Sequence, residues 1–322
     1  MQFVSPADRK TKYLALIGIA ALALLVVFAA LPRSSIFMHV LHKTGHPLAF
    51  GAIAILTLLL LQGDISSDAH RWRGYAKALF IAVAIGGLTE VAQLFTNRGA
   101  SIVDVGRDLI GAIAGLSIFS SFVTSRSISN RSTTSAIAVL AGVLATLAAI
   151  APLAWCAAAY LNRDARFPVL FEMQSPLDEY FVSDTGERTK LASIAGLSGN
   201  EKAYVVSFAK YESAGVQIDE PHSSWRNYSQ LVFELTNTGK QDMQVTLRVF
   251  DRYHNWQMED RFNSNVTVKA LQRQRIVVAL RDVEHAPRGR LMDMDKIANV
   301  AVFVWHPEQA GQFLVHRIAL EH

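Results

Sequence analysis

Cysteine and charge are both scarce in this chain. Cys156 is the single cysteine among 322 residues, which excludes an intrachain disulfide and a thiolate metal cluster, so any globular part must hold together by packing alone. Charged residues make up 18% against 51% hydrophobic, a balance that excludes a disordered chain. Lys and Arg number 31 against 27 Asp and Glu, a net charge of +4. The excess lies near the ends of apolar runs rather than in one basic patch, so no nucleic-acid partner is expected. No His-Glu-x-x-His zinc motif occurs, and no known nucleophile motif stands out.

The apolar residues are concentrated in the first half. Five runs are expected to span a membrane: 13–31, 47–62, 75–95, 103–123 and 136–161. A helix rises 1.5 Å per residue, so about 20 residues cross the roughly 30 Å hydrocarbon core. The first run is too long for a signal peptide and has no convincing small-residue cleavage site, so it is expected to be retained. Lys and Arg near the runs set the orientation. Arg9, Lys10, Lys12, Arg71, Arg73, Lys77, Arg126 and Arg131 outnumber Arg33, Lys43, Arg98, Arg163 and Arg166 on the other side. The richer side belongs in the cytoplasm, which places the N-terminus inside and the C-terminal half outside. Trp72 and Tyr75 are expected to anchor the inner interface.

Polar residues inside such helices cost about 2.5 to 3.5 kcal/mol each on insertion scales and commonly mark function. Lys43, His46, Glu90, Gln93, Arg98, Asp104, Arg107 and Asp108 all fall at one level, on the extracytoplasmic side. Glu90 and Gln93 share a helix surface, and Asp104, Asp108, Gly111 and Gly115 form one stripe. The glycine pair is expected to receive the third span at Gly86 and Gly87. The charges have a structural alternative, mutual neutralisation within the bundle. Lys43, Arg98 and His46 suit a phosphate at headgroup level. His42 and His46 with Glu90 and Asp104 have the residue types of a metal site, but Gly45 and Pro47 argue against a regular helix through both histidines; no metal and no cofactor are assigned.

The run from Gly87 to Phe95, with Arg98, Ser101, Asp104 and Gly111, together with Lys43, His46 and Phe50, resembles the VanZ-like family of bacterial membrane proteins over roughly residues 35–122. The family usually has Asp where this chain has His42 and Asn where it has Asp108, and both changes alter the charge of the cluster. The resemblance implies a bacterial plasma-membrane protein with a link to glycopeptide resistance. It implies a ligand site at Lys43, His46, Glu90, Gln93, Arg98, Asp104 and Asp108.

Beyond residue 162 the pattern changes. A linker is expected at 163–168, and 169–322 then carries short β-branched and aromatic runs separated by turns such as Asn237-Thr238-Gly239. Strands are expected at 204–208, 215–218, 230–235, 245–250, 266–268, 275–280, 300–305 and 313–320, with one helical turn at 294–298. That many strands argue for a β-sandwich. The order of Trp225, Tyr228, Asp251, Arg252, Arg261, Phe262, Gly289 and Arg290 resembles galactose-binding-like jelly rolls, in particular family 11-type carbohydrate-binding modules. Such domains often carry Asp in the last strand, where this chain has His316.

Sugar sites combine aromatic platforms with polar side chains, which makes Tyr253, His254, Trp256 and Arg261 the glycan-binding candidates, while Trp225 and Phe262 are expected in the core. Asp251, Glu259 and Asp260 offer carboxylates, but spacing alone does not place a pair across a cleft. The expected architecture is a five-helix transmembrane bundle of residues 1–162 followed by an extracytoplasmic all-β sandwich. The expected function is a cell-envelope accessory that binds an envelope glycan, a polysaccharide or a lipid-linked precursor, with membrane lipid as a further partner. The alternative is a membrane enzyme acting on a polyprenyl or phospholipid phosphate at the outer leaflet, with Glu90, Asp104 or His46 as the catalytic candidates. Five spans without an internal repeat argue against a transporter.

Overall fold

A computed structural model describes residues 9–28, 35–61, 68–95, 101–125, 133–185, 190–195 and 202–322. Arg33, Arg98, Arg126 and Arg131 lie outside the described residues. Helices come first: α1 (Arg9–Phe28), α2 (Ile36–Leu61), α3 (Asp68–Gln93), α4 (Ile102–Ser125) and α5 (Thr133–Arg166). Four of them contain stretches long and apolar enough to cross a membrane, in α1, α2, α3 and α5. The first turns of α4 instead carry Asp104, Arg107 and Asp108. The chain divides into two compact units, Met1–Cys156 and Ala157–His322.

In the first unit α2 is the central element. Its Phe50, Ile53, Ala54 and Leu58 are buried against Val26 of α1, Ala78 and Ala82 of α3, and Ala112 and Leu116 of α4. Leu14, Ile17, Leu24, Phe80, Leu88, Leu140 and Leu144 point outward, far more apolar surface than a soluble monomer normally exposes. Two expectations need correction. The helix is continuous through His42, Lys43 and His46, with Pro47 inside it; the proline removes one backbone donor, opposite the Lys43 carbonyl, without ending the helix. The glycine stripe of α4 receives α2, not α3. A Cβ on Gly111 would lie 1.9 Å from the Pro47 carbonyl oxygen, and one on Gly115 would lie 2.4 Å from that of Gly51. Helix backbones meet at this range only where side chains are missing. Gly87 has nothing within 4 Å of its Cβ position.

The second unit begins within α5, whose last turns bond into it. Asn162 donates to Asp178 at 2.8 Å, Arg166 pairs with Asp178 at 2.5 Å and with Glu172 at 2.9 Å. Residues 163–166 are therefore helix rather than linker. Eleven strands follow among the described residues: β1 (Val169–Glu172), β2 (Val182–Asp184), β3 (Lys190–Ala195), β4 (Lys202–Phe208), β5 (Ala214–Asp219), β6 (Gln230–Asn237), β7 (Met243–Asp251), β8 (Phe262–Val268), β9 (Arg273–Ala279), β10 (Ile297–Val304) and β11 (Gly311–Glu321). They form two antiparallel sheets, β3-β4-β11-β6-β9 with β1 also on β11, and β2-β5-β10-β7-β8. The first three strands were not expected. The helical turn lies at α6 (Leu280–Glu284) rather than at 294–298, where β10 begins instead.

Period-2 alternation puts Val245, Leu247 and Val249 of β7 into the core and leaves Gln244, Thr246, Arg248 and Phe250 on the opposite face. Trp225, Phe233, Phe313, Leu247, Met292 and Ile318 are fully buried in that core, with Phe262 at its edge. The Trp225 indole N–H donates to the His222 carbonyl at 2.7 Å. Asn237 makes the turn expected there, accepting from the Gly239 amide at 2.8 Å.

If the α2–α4 contact organises the bundle, Gly115→Val lowers stability by about 1–3 kcal/mol through overpacking, while Gly87→Ala has no such cost. Thermal unfolding of the two purified variants in detergent checks this, and equal midpoints would contradict it.

Candidate functional sites in the two units

The bundle brings together three of the polar residues marked by sequence. His46 on α2, Glu90 near the end of α3 and Asp108 on α4 are 7%, 4% and 1% exposed. One ligand atom from each lies within 4.8 Å of the others. His46 Nδ1 and Asp108 Oδ1 are 3.6 Å apart. Glu90 Oε2 accepts the Ser101 amide proton at 2.7 Å. Among the described residues no hydrogen-bond partner meets His46 Nδ1, Glu90 Oε1 or either Asp108 oxygen. Gln93 is buried one turn beyond Glu90.

The remaining members of the expected cluster lie differently. Asp104 pairs with Arg107, one turn along the same helix, and stays partly exposed. Lys43 is half-buried on α2, where the His42 and His46 rings meet edge to face at 5.6 Å. Arg98 lies outside the described residues.

The sandwich presents a second candidate, the face of the β2-β5-β10-β7-β8 sheet that does not enter the core. Along β8 it carries Asn263, Asn265 and Thr267; along β7, Thr246, Arg248 and Phe250; along β10, Asn299 and Phe303; along β5, Gln217 and Asp219. Neighbouring strands are cross-linked by these side chains. Thr246 donates to Asn265 at 2.8 Å, Arg248 to Asn263 at 3.2 Å, and Ser183, Gln217 and Asn299 all donate to the Asp219 carboxylate, at 2.5, 2.7 and 2.9 Å. Arg248 lies over the Phe303 ring, 4.4 Å from its centre. Burial, and then the charge of Arg261, pull its guanidinium down to about 10. Gly215 is required under Phe303, since a Cβ there would come within 2.2 Å of the Phe303 side chain.

Exposed rings lie at both ends of this face. Trp305, 65% exposed, continues the β10 row beyond Phe303 at a centroid distance of 6.4 Å. At the other end Phe250, His254 and Trp256 cluster with centroids 4.7 to 6.2 Å apart. Trp256 is 81% exposed and has φ +67°, a left-handed backbone that a bulky residue seldom adopts. Of the other glycan candidates, Tyr253 is exposed and bonded to Lys296 at 2.5 Å, His254 is buried with Nδ1 3.0 Å from the Asp260 carbonyl, and Arg261 is half-buried. The amides of β8, Arg248, Asn299, Asp219 and Trp305 were not singled out from sequence. Their only signal was polar residues at every second position of β7 and β8.

The carboxylates Asp251 and Asp260 are not a catalytic dyad, because one guanidinium joins them. Arg290 bonds both oxygens of Asp251, at 2.6 and 2.9 Å, and Asp260 at 2.5 Å. The Asp293 amide adds a fourth bond, to Asp251, at 2.8 Å. Burial pushes the Asp251 carboxyl up, but the Arg290 and Asp293 bonds outweigh it and hold it below the ordinary range. Asp260 is held down first by Arg290.

No family model matches the chain, and no curated protein matches it. The sandwich half is similar to solved structures. A family 11 carbohydrate-binding module from Clostridium thermocellum, in complex with a beta-1,3-1,4-mixed-linked tetrasaccharide, is 15% identical over 48% of this chain and 96% of that one, with a TM-score of 0.38. An exo-beta-agarase is 14% identical over 48% of this chain and 24% of that one, at 0.37. A CBM28 module specific for non-crystalline cellulose is 12% identical over 48% and 93%, at 0.35.

Both carboxyls that hold Arg290 have folded-state values below their unfolded ones. Their contribution is complete above the ordinary carboxylate value of about 4 and is lost as pH falls through the lower folded values. Arg290→Ala, which strands the buried Asp251 charge, is expected to cost about 3 kcal/mol at neutral pH. That deficit should shrink on acidification towards about pH 3. Denaturant unfolding at both pH values checks this, and a deficit independent of pH would contradict it.

Proposed function

We propose that the protein is a membrane-anchored glycan-binding protein of the cell envelope, in which the sandwich lays a polysaccharide chain along the face of the β2-β5-β10-β7-β8 sheet turned away from the core, where Asn263, Asn265 and Thr267 of β8 are exposed and Asn299 and Phe303 of β10 are buried. The observation that carries this reading is the composition of that face. Side-chain amides, a hydroxyl, a carboxylate and a guanidinium are cross-linked into a rigid surface, with an exposed tryptophan near each end. Rings stack on the apolar faces of sugars and the polar ladder bonds their hydroxyls. Six residues of β10 and its extension separate the row of Asn299 from Trp305, about 20 Å at 3.3 Å per residue, the length of an oligosaccharide rather than of one sugar. The left-handed backbone of the exposed Trp256 supports the same use, since strain of this kind concentrates at ligand contacts.

The apolar helices and their outward-facing leucines support the anchor. In this reading the first half is VanZ-like and lies in a bacterial plasma membrane, with Lys43 and Arg98 meeting the phosphate of a membrane lipid or lipid-linked glycan. The sandwich stands outside the cell.

A glycan array probed with the full chain in detergent tests the first claim. Binding of a defined polysaccharide, weakened about tenfold, or ~1.4 kcal/mol, in each of Trp256→Ala and Trp305→Ala, is the expected result. Silence across the array, or binding indifferent to both substitutions, removes the reading. Orientation is tested separately by fusing alkaline phosphatase after His322. The enzyme is expected to be active in cells, and an inactive fusion alongside a fluorescent cytoplasmic-type one would reverse the topology.

A further inference from the structure

The buried cluster of the bundle has a chemistry that glycan binding does not use. Two carboxylates and an imidazole, each more than nine-tenths buried, converge from α2, α3 and α4. Among the described residues no hydrogen-bond partner meets Glu90 Oε1, His46 Nδ1 or either Asp108 oxygen. Two like charges in an apolar interior with open lone pairs are costly unless a cation compensates them.

We propose that His46, Glu90 and Asp108 form a binding site for one divalent transition-metal ion, with zinc the best-matched member of that class. A neutral imidazole and two carboxylates cancel a charge of +2. Three protein ligands with a fourth position open is the arrangement of reactive zinc sites. Bonds of about 2.1 Å at tetrahedral angles place ligand atoms about 3.4 Å apart, and His46 Nδ1 and Asp108 Oδ1 already stand at 3.6 Å. The imidazole selects against magnesium and calcium, which prefer oxygen alone.

The surroundings have the form of an outer shell. The Ser101 amide occupies Glu90 Oε2 at 2.7 Å and leaves Oε1 to turn inward. Gly86 leaves room for the carboxylate of Asp108, since a Cβ there would lie 3.1 Å from its Oδ2. Asp108 precedes Gly111 by one turn, and His46 precedes Pro47, so the close backbone approach of Gly111 to Pro47 brings these two ligands together. Of the residues read from sequence the site keeps His46 and Glu90, takes Asp108 in place of Asp104 and leaves out His42, and the helix break that argued against it is absent.

The inference is independent of the glycan reading, because metal is measured with no sugar present. Full-length protein in detergent is stripped with chelator, then titrated separately with Zn²⁺ and Co²⁺. The expected results are one zinc per chain retained through gel filtration, a visible cobalt spectrum of tetrahedral type, and a thermal midpoint raised by roughly 5 °C. Asp108→Asn and His46→Gln lose the stoichiometric zinc, and Asp104→Asn keeps it. Wild-type protein that holds neither ion, as it would if the two carboxyls shared a proton instead, overturns the proposal whether or not the variants fold. Zinc retained equally by Asp108→Asn overturns it too.

Discussion

The bundle depends on the approach of two backbones. Where α2 and α4 cross, Pro47 faces Gly111 and Gly51 faces Gly115 at distances that leave no room for a Cβ. Were the bundle in lipid, apolar side chains would gain little by leaving it for one another, and close van der Waals contact would have to supply the association. Glycine makes that contact possible. It also determines which polar residues lie inside, because a helix face pressed this closely carries its neighbours with it. Asp108 lies on the pressed face and is 1% exposed, whereas Asp104, one turn earlier, remains partly exposed with Arg107.

The sandwich solves a different problem, how to give a sheet two unlike faces. Alternation along β7 sends Val245, Leu247 and Val249 inward and Thr246, Arg248 and Phe250 outward, and antiparallel pairing aligns each outward residue with partners on β8 and β10. The outward row becomes a surface only through that register, which brings Asn265 to Thr246 and Asn263 to Arg248. At the rim, Arg290 does what a cation would do between two acidic side chains. It holds the Asp251 end of β7 to the loop that carries Trp256.

Much of this order is legible in the sequence. Long apolar runs become helices and short β-branched runs become strands because local periodicity and burial act together there. The weak points were local signals overruled by packing. Pro47 looked like a helix start and sits inside α2, since one missing donor is tolerated where neighbouring helices enclose the turn. Residues 163–166, polar enough to resemble a linker, extend α5 because Arg166 and Asn162 find carboxylate partners on the sandwich. The strands β1 to β3 are short and lack a strong alternating pattern, and pairing with longer strands defines them.

By itself the sequence determined the division into helices and then strands and the aromatic character of the loop at 253–256, because both follow from composition and spacing along the chain. Tertiary structure alone decided that the glycine stripe of α4 meets α2 rather than α3, that Asp108 rather than Asp104 joins His46 and Glu90, and that Trp305 lies on the same face as Phe250, Arg248 and Asn299. Those are contacts between segments far apart in sequence. Helix crossing and strand register set them, and neither leaves a mark in the local pattern of residues.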